Sequence, residues 1–391
     1  MPCCTGTTST RDDRLPLVNA SRPSNIIVIG AGVVGCAVAC ELARRGAAVR
    51  VLDDRSPGMG ATQASAGMLA PFTEAKDRNP AFLDLAVRSL GLYEEFVARI
   101  MATADIKVGY RRTGTLEVAT TADHMSALEQ LSVRLKAHDV ALRMLDAHAA
   151  LAEEPHLGAD VAGGLLIESH GFVNAGELTR ALAAAARRGG ADLLESGRAH
   201  RISTRDGGVV VDTARGPLSG DAVVLAAGSW SGQLEIEGVA RPPVRPVRGQ
   251  LLHLAWHDVN LRRVIWGERC YMVPWQDGTL LVGATMEEVG FDERTTVAGV
   301  GELLESACAL VPQTRAAGFL SARAGLRPGS PDAMPIVGAS RAMENLMYAT
   351  GHFRNGVLLA PITAQLVADA LLEGRIDPAL EAIGPQRFEG L

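Results

Sequence analysis

The sequence lacks several features that define whole classes of protein. Six cysteines occur in 391 residues and no Cys-x-x-Cys pair is present, which argues against a disulfide framework or a zinc site. The net charge is −6, so no basic surface points to nucleic acid. The uncharged stretch 26–40 is shorter than the roughly 20 apolar residues that span a membrane. What remains is a globular α/β protein whose 47% hydrophobic content suits a large core.

The first 24 residues also lack the apolar core of a secretory signal. We expect residues 1–24 to form a flexible tail and the protein to be cytoplasmic, without a membrane span or a nucleic-acid partner. Cys36 and Cys40 lie one helical turn apart, which indicates small apolar packing residues rather than metal ligands.

Residues 25–55 carry the most informative pattern of the chain. A β-branched run stops at Gly-Ala-Gly-Val-Val-Gly, an apolar helix pattern follows, and a second strand ends at Asp53. In such a unit Gly30 permits the tight turn, Gly32 lets backbone N–H groups approach a pyrophosphate, and Gly35 lets the helix pack close to the sheet. Asp53 stands where a carboxylate would bind ribose hydroxyls. The pattern predicts a dinucleotide-binding βαβ unit.

Periodicity predicts the remaining elements along the chain. Apolar spacing near 3.6 predicts helices over residues 80–101, 123–138, 145–155, 181–188, 302–311 and 362–373. Alternation predicts strands over 116–119, 208–212, 222–226 and 346–349, with a β-rich stretch over 247–286. Nucleotide-type segments occur early, in the middle and late, so we expect a discontinuous cofactor domain with a β-rich domain inserted.

Asp277-Gly278 predicts a β-hairpin with a two-residue turn. That register pairs Tyr271 with Ala284 and Arg269 with Met286. Because side chains alternate along a strand, one face would carry the following residues: Arg269, Tyr271, Val273, Val282, Ala284 and Met286. A three-residue loop would reverse this pairing of faces. The face either packs on the core or lines a site.

Two arginines lie in apolar or turn-like surroundings. Arg327 is followed by Pro-Gly, and Arg354 lies between Phe353 and Asn355. Each either pairs with an internal carboxylate or binds the carboxylate of a ligand, for which the guanidinium fork is suited. Gly228, after the strand around 223–227, allows either an ordinary turn or contact with a cofactor. We interpret His352 as a hydrogen-bonded turn residue and not as a catalytic base.

Several segments together resemble the D-amino-acid-oxidase superfamily of flavoproteins, and most closely its glycine oxidases of thiamine biosynthesis. They are IIVIGAGVVG, GATQASAGMLAP, VVLAAGSWSG, CYMVPWQDGTLLVGATM, AGLRPGSPDAMPIVG and GHFRNGVLLAP. The resemblance covers nearly all of the chain after residue 25. It implies an FAD held by the glycine turn and these residues: Val33, Val34, Asp53, Asp54, Ala61, Thr62, Ala66, Gly67, Met68, Val173, Gly228, His352, Phe353, Arg354, Asn355, Gly356, Val357 and Leu358.

The same resemblance assigns substrate residues. It implies that Arg327 binds the substrate carboxylate with Tyr271 beside it, that Met286 lines the pocket, and that Arg354 lies near substrate and flavin. Arg269 stands where some members have histidine, which leaves substrate preference open. Residues 328–340 hold no cysteine for covalent flavin attachment, so the FAD should be non-covalent.

The fold class expected is α/β, a Rossmann-like FAD-binding domain with an inserted mixed β-sheet substrate domain. The FAD domain would comprise residues 25–80, 156–232 and 323–391, and the substrate domain residues 81–155 and 233–322. The implied reaction is oxidative deamination of glycine, with sarcosine and small D-amino acids as slower substrates, oxygen as acceptor, and products that supply thiazole synthesis. A thiazole synthase is the partner implied, and assembly into a homo-oligomer stays open.

Three alternatives remain at this point. A D-amino-acid dehydrogenase would pass electrons to a quinone instead of oxygen. An NAD-dependent dehydrogenase is compatible with the βαβ unit but not with the other segments. A non-catalytic flavin-binding scaffold would not need the arginine and tyrosine that the resemblance assigns to substrate.

Overall fold

A computed structural model of the chain describes residues 23–74, 79–136, 140–195, 197–256 and 261–391. Its strands are β1 Asn25–Ile29, β2 Ala48–Asp53, β3 Met68–Leu69, β4 Tyr110–Arg111, β5 Thr115–Ala119, β6 Leu142–Asp146, β7 Gly163–Ile167, β8 Gly171–Val173, β9 Asp192–Glu195, β10 Ala199–Arg205, β11 Gly208–Thr213, β12 Gly216–Gly220, β13 Ala222–Leu225, β14 Glu235–Ile236, β15 Arg245–Ala255, β16 Val264–Trp266, β17 Tyr271–Pro274, β18 Thr279–Gly283, β19 Gly318–Gly329, β20 Ile336–Ala339 and β21 Leu346–Thr350.

Its α-helices are α1 Val33–Arg44, α2 Pro71–Glu74, α3 Pro80–Ala104, α4 Ala122–Lys136, α5 Ala147–Glu153, α6 Ala175–Arg188, α7 Val297–Leu310, α8 Gly356–Ala368 and α9 Ala379–Ile383. The expected tail falls largely outside the described residues, as does the expected end of the fourth helix at residue 138.

A six-stranded sheet organises the first half of the fold, in the order β20-β21-β13-β1-β2-β9. Strands β21, β13, β1, β2 and β9 run parallel, and β20 joins antiparallel at one edge. The near-continuous apolar sequences of β1 and β13 suit strands that are buried on both faces. Helices α1, α3, α6 and α8 cover one face, and the small sheet β12-β11-β10-β14 covers the other.

An eight-stranded sheet organises the second half, in the order β19-β15-β18-β17-β16-β5-β7-β6. It is antiparallel except where β16 runs parallel to β5. One face packs on α5 and α7, while Tyr271 and Val273 on the other face pack towards the sheet β3-β8-β4. The long strand β19 lies against the Ala61–Ala64 turn that follows β2, which brings the two sheets together. This is the mixed α/β architecture that the sequence predicts.

The division into domains stays a prediction. Two elements, however, pack with a different domain from the one to which the predicted bounds assign them. Helix α3, which the prediction placed in the substrate domain, packs in the core formed by α1, α6 and α8. Strand β7, placed in the FAD domain, pairs with β5 and β6 of the eight-stranded sheet. In both cases the element packs where its apolar face is buried, and its neighbours in the sequence do not determine its neighbours in the fold.

Helix α8 begins earlier than its sequence predicts. We expected a start after Pro361, but the helix runs from Gly356 and contains this proline. Proline has no N–H to donate to the carbonyl four residues before it, which here belongs to Val357. The hydroxyl of Tyr93 on α3 donates to that Val357 carbonyl instead. The neighbouring helix thereby satisfies the carbonyl that the proline leaves without its usual donor.

The hairpin register is shifted by one residue from the prediction. Tyr271 pairs with Gly283, and the Trp275 N–H donates to the Thr279 carbonyl at 2.8 Å. The loop therefore has three residues, with Gly278 at φ +79°. Glycine is suited to this left-handed conformation, so Asp-Gly serves a three-residue loop as well as a two-residue turn.

The shift changes which side chains share a face. Val282 lies opposite Met272, and both pack in the core beneath α7. Tyr271 and Val273 face the other way, together with Leu281. The predicted face was therefore wrong for Val282, because a one-residue slip moves every side chain of one strand to the other side.

One helical stretch, Gly356–Glu373, is long and apolar enough to span a membrane, and 78% of it is buried within the fold. It comprises α8 and the π-helical turn Asp369–Glu373 that continues it. Its contacts with α1 and α3 are those of a helix in a protein core.

Candidate active site

A cavity of about 1250 Å³ lies between the six-stranded and eight-stranded sheets. Its volume exceeds the roughly 300–1,000 Å³ of ordinary small-molecule pockets. The turn after β1 and the ends of β2 and β13 line one part of it, and β17, β18 and β19 line another. The carboxyl ends of parallel strands are where open α/β sheets bind ligands.

At the first part, glycine allows the β1–α1 turn to approach β13. Gly30 has φ +107°, and a Cβ there would lie 2.4 Å from the Ala226 carbonyl oxygen. A Cβ on Gly35 would lie 1.9 Å from the Gly30 carbonyl oxygen, so α1 rests directly on the turn. Both positions exclude any side chain, as the sequence pattern predicts.

Asp53 ends β2 beside this turn. One carboxylate oxygen accepts from the Ala31 N–H at 2.6 Å, and the other accepts from the Arg55 N–H at 2.9 Å. Burial raises the pKa of Asp53, and these two hydrogen bonds oppose the rise. The side chain also lines the cavity, so its remaining lone pairs are available to ligand hydroxyls.

The start of α1 fits the phosphates of a dinucleotide. Gly32, the N-cap residue, has no side chain to bond the first turn, and Thr62 accepts from the Val33 N–H at 3.2 Å. Gly32, Val33 and Val34 line the cavity, and no acidic residue lies in the first turn. The N-terminus of the helix therefore offers N–H groups and a positive dipole end to an anion.

Most residues that the resemblance assigns to FAD meet at this cavity. Those lining it are Gly30, Gly32, Val33, Val34, Asp53, Asp54, Ala61, Thr62, Ala66, Gly67, Met68, Gly228, His352, Phe353, Arg354, Gly356 and Val357. Their individual roles stay predictions.

Four of the assigned residues lie behind the wall of the cavity. Gly35 packs α1 on the glycine turn, and Leu358 is buried in the helical core. Val173 is fully buried, and its N–H donates to the Gly67 carbonyl at 2.9 Å. Asn355 is the N-cap residue of α8 and is 1% exposed. These four lie behind the residues that line the cavity, and their assignment to FAD stays a prediction.

Arg327 lies at the second part of the cavity and is a cation without a carboxylate partner among the described residues. Its Nη1 donates to the Thr285 carbonyl at 3.0 Å and to the Arg248 carbonyl at 3.4 Å. Burial lowers the pKa of Arg327, the effect expected for a desolvated cation, and Tyr271 beside it opposes that shift. A guanidinium whose partners are two carbonyls and a neutral phenol is well placed to take an anionic ligand group.

Arg354 differs because it already has a counter-ion. Its Nε lies 2.8 Å from the Glu74 carboxylate, and its Nη2 donates to the same group at 3.1 Å. The guanidinium also lies 5.8 Å from the ring centre of Trp266. All three side chains line the cavity, so the Arg354–Glu74 pair adds no net charge there.

Tyr271 lies beside Arg327 and is 8% exposed. Its ring stands over Gly283, where a Cβ would lie 2.4 Å from the tyrosine oxygen, and it packs 5.4 Å from Trp266. Burial raises the pKa of Tyr271, and the nearby arginines oppose that rise. The phenol therefore stays neutral near pH 7 and can donate a hydrogen bond.

Met286 and Arg269 complete this part of the cavity. Both line it, and Met286 is 65% exposed. All four side chains predicted for substrate thus reach one cavity: Arg327, Tyr271, Arg354 and Met286. They do so although the hairpin register that first grouped two of them was wrong.

His352 is unsuited to act as a base near neutral pH. Its ring is 3% exposed, and Nε2 lies 3.1 Å from the Thr363 hydroxyl. Burial lowers the pKa of His352 to about 4. A neutral, hydrogen-bonded histidine at the start of α8 is a structural residue of the cavity wall.

Comparison with known proteins identifies the nature of this cavity. Residues 25–370 match the family model described as FAD dependent oxidoreductase. The chain belongs to this family. FAD is therefore its cofactor.

Its relatives include proteins named for one amino acid. The chain is 33% identical over 347 residues to glycine oxidase of Geobacillus kaustophilus, covering 88% of this chain and 92% of the relative. The crystal structure of glycine oxidase from Geobacillus kaustophilus superposes with a TM-score of 0.90 at 32% identity, covering 94% of this chain and all of that one.

A third relative is longer. The bifunctional protein ThiO/ThiG of Trichormus variabilis is 36% identical over 372 residues, which are 93% of this chain. The chain spans 55% of that relative, so about half of its length has no counterpart here.

We expect denaturation of the purified protein to release unmodified FAD, because the cofactor is bound non-covalently. Cys270 lines the cavity, but burial raises the pKa of this thiol to about 12, so it is protonated and a poor nucleophile. Acid precipitation should leave a colourless pellet and FAD in the supernatant, as measured by absorbance and chromatography. Flavin that stays with the polypeptide would contradict a non-covalent cofactor.

Replacing Tyr271 by phenylalanine should weaken substrate binding more than it slows chemistry. Removing one neutral hydroxyl should cost about 1–2 kcal/mol, which raises the apparent dissociation constant roughly five- to thirtyfold. The measurement is rapid anaerobic reduction of the bound flavin at increasing substrate concentration. A limiting rate that falls thousandfold would instead assign the phenol a proton-transfer role.

The sequence arguments missed three contributors to the site. Glu74 lies three residues after the GATQASAGMLAP segment, and extending that resemblance by three residues would have included it. Gly249 lies under Arg327, where a Cβ would be 2.2 Å from Nη2. Glu287 belongs to a polar network behind Arg327. The sequence gives no signal for Gly249, because Arg327 is distant in the chain; Glu287 directly follows the CYMVPWQDGTLLVGATM segment, but its partner Arg248 lies 39 residues away.

Proposed function

We propose that the protein oxidises glycine, and more slowly sarcosine and small D-amino acids, with oxygen as electron acceptor. The observation that carries the proposal is Arg327, a cavity cation bonded to two carbonyls and to no carboxylate of the described residues. An amino-acid carboxylate supplies the missing negative charge. The glycine oxidase of Geobacillus kaustophilus, similar over nearly its whole length, supports the choice of glycine.

In this proposal the side chains bind and orient the substrate. Arg327 and the Tyr271 hydroxyl hold the carboxylate, while Met286 limits the space beside it. Orientation alone can supply much of the rate enhancement when the reacting atoms are held close together. FAD, when bound, supplies the two-electron acceptor for the hydrogen that leaves the α-carbon as hydride.

The chain need not provide a base for the α-carbon. Among the described residues that line the cavity, Glu74 is bound to Arg354, and His352 is bonded to Thr363 with a pKa of about 4. The substrate has to bind with a neutral amine, so that its nitrogen lone pair can form the imine as hydride leaves. Water then converts the imine to glyoxylate and ammonia.

The product of glycine oxidation has a proposed use in a further reaction. We propose a cytoplasmic enzyme whose glycine-derived imine or glyoxylate supplies thiazole formation, with a thiazole synthase as partner. The longer relative named bifunctional protein ThiO/ThiG supports such a link, since its extra half could carry a second function. That this chain acts together with a thiazole synthase is part of the proposal.

A product assay tests this function. Glycine and air should give glyoxylate, ammonia and hydrogen peroxide in equal amounts, and D-alanine should react more slowly. L-Alanine should not react, because a carboxylate held by Arg327 would direct its side chain, instead of its hydrogen, to the flavin. Turnover of glycine with a quinone analogue but not with oxygen would favour a dehydrogenase, and turnover of neither would refute the proposal.

A further inference from the structure

Behind Arg327 lies a polar network that reaches the cavity only through Thr285, while its other members lie outside the cavity lining. Its members are Arg248 and Gln250 on β15, Thr285 and Glu287 after β18, and Thr296 before α7. Arg248 and Gln250 are buried, with 4% and 0% of their surfaces exposed. Buried polar groups of this kind fix local geometry when they are well bonded.

Glu287 is the centre of this network. One carboxylate oxygen accepts from the Thr285 hydroxyl at 2.6 Å and from Gln250 Nε2 at 2.8 Å. The other accepts from Arg248 Nη2 at 2.6 Å. The backbone of Glu287 also pairs with that of Arg248, with N–H to carbonyl distances of 2.9 and 2.8 Å. Side chain and backbone together join the segment after β18 to β15.

The two carbonyls that hold Arg327 belong to this joined segment. Arg327 Nη1 donates to the carbonyl of Thr285 and to the carbonyl of Arg248. The Thr285 hydroxyl bonds Glu287 on one side and accepts from the Gln250 N–H at 2.9 Å on the other. Displacing Glu287 would therefore move both acceptors of the guanidinium.

We propose that Glu287 is a positioning residue that sets the orientation of Arg327 towards the substrate carboxylate. The inference rests on the proposed function, since it concerns the same carboxylate site. Glu287 itself does not line the cavity, and its arginine neighbour Arg248 holds its pKa low, at about 2, with help from Thr285 and Gln250 despite burial. It acts as a permanent anion that bonds donors on β15 and on its own segment.

The test variant is Glu287→Gln, with Glu288→Gln as matched control. The amide would place an NH₂ group against either Arg248 or the Gln250 and Thr285 donors, so one set of bonds is lost. Glu288 is the next residue, its side chain is 69% exposed, and among the described residues its ion-pair partner is the exposed Arg245. Both variants remove one negative charge from the same segment, so they differ in the network alone.

The first measurement is a titration of the oxidised holoenzyme with acetate. The shift of the flavin absorption reports how much acetate is bound. Glu287→Gln should weaken acetate binding about tenfold or more, while Glu288→Gln changes it less than about twofold. FAD content and melting temperature are recorded alongside. Equal acetate affinity in the two variants would overturn the inference while leaving the proposed function intact.

The second readout separates positioning from general stability. If Glu287 acts through Arg327, Glu287→Gln should lower kcat/KM for glycine in the wild type but change it little in an Arg327→Ala background. Equal losses in both backgrounds would overturn the inference. Should Glu287→Gln fail to fold, Thr285→Val removes the bridging hydroxyl at constant volume and should weaken acetate in the same direction; wild-type affinity there would also overturn it.

Measurements on the wild-type protein show whether the proposed function and the role of Glu287 fail together or separately. If it neither binds acetate nor oxidises glycine, sarcosine or D-alanine, the proposed function and this inference fall together. If it binds and oxidises them normally, only the variants bear on Glu287.

Discussion

Replacing Arg327 by alanine is expected to lower kcat/KM for glycine by about a hundredfold or more while FAD stays bound. A charge-assisted contact with a carboxylate in a partly buried site contributes roughly 3 kcal/mol, which corresponds to about that factor in rate. The fold should tolerate the change, because among the described residues the Arg327 side chain bonds only two carbonyls and the neutral Tyr271 and forms no ion pair. The measurement is steady-state peroxide formation over a wide range of glycine concentration.

Arg323→Ala provides the control for this experiment. Arg323 lies on the same strand, β19, is exposed, and bonds His253 and the Gln63 carbonyl outside the cavity. It should leave kcat/KM within about twofold of the wild type, as surface substitutions usually do. Near-normal turnover in Arg327→Ala would remove this arginine from the site.

Gly249→Ala is expected to give nearly as large a loss although it replaces no charged residue. The new Cβ would lie 2.2 Å from Nη2 and 2.3 Å from Cζ of Arg327. Because the guanidinium is the free end of a flexible side chain and β15 is paired on both sides, the guanidinium should move and the strand should not. We expect kcat/KM to fall about ten- to hundredfold, as displacement of an orienting group does.

The control here is Gly318→Ala at the start of β19. Its Cβ would make an ordinary contact, 3.7 Å from the Ala255 Cβ. Both variants should keep their FAD and a melting temperature within a few degrees of the wild type. Wild-type kinetics in Gly249→Ala would mean that Arg327 can shift without consequence for the substrate.

The cofactor part of the site could be predicted from the sequence because its determinants are local. Gly30, Gly35 and Asp53 lie within one βαβ unit, and their spacing alone fixes which groups meet. The substrate part depends on contacts between distant segments. Arg327 and Arg354 have similar sequence surroundings. Glu74, 280 residues from Arg354, gives that arginine a carboxylate partner, whereas Arg327 has none among the described residues.

The errors in the fold have the same origin. The hairpin register depends on a loop that Asp-Gly allows in two lengths, and the start of α8 depends on a hydroxyl of Tyr93 that compensates Pro361. Neither is visible from propensity alone. The resemblance transfers whole segments and does not rely on register, and Met286, which it assigns to the pocket, lines the cavity; its role stays a prediction.

Anaerobic addition of glycine to the yellow holoenzyme tests the central claim most directly. We expect the visible absorption of the bound flavin to bleach with glycine. We also expect air to restore the absorption with formation of one hydrogen peroxide for each flavin. An unchanged spectrum with glycine, sarcosine and D-alanine alike would contradict the claim that Arg327 holds an amino-acid carboxylate for oxidation.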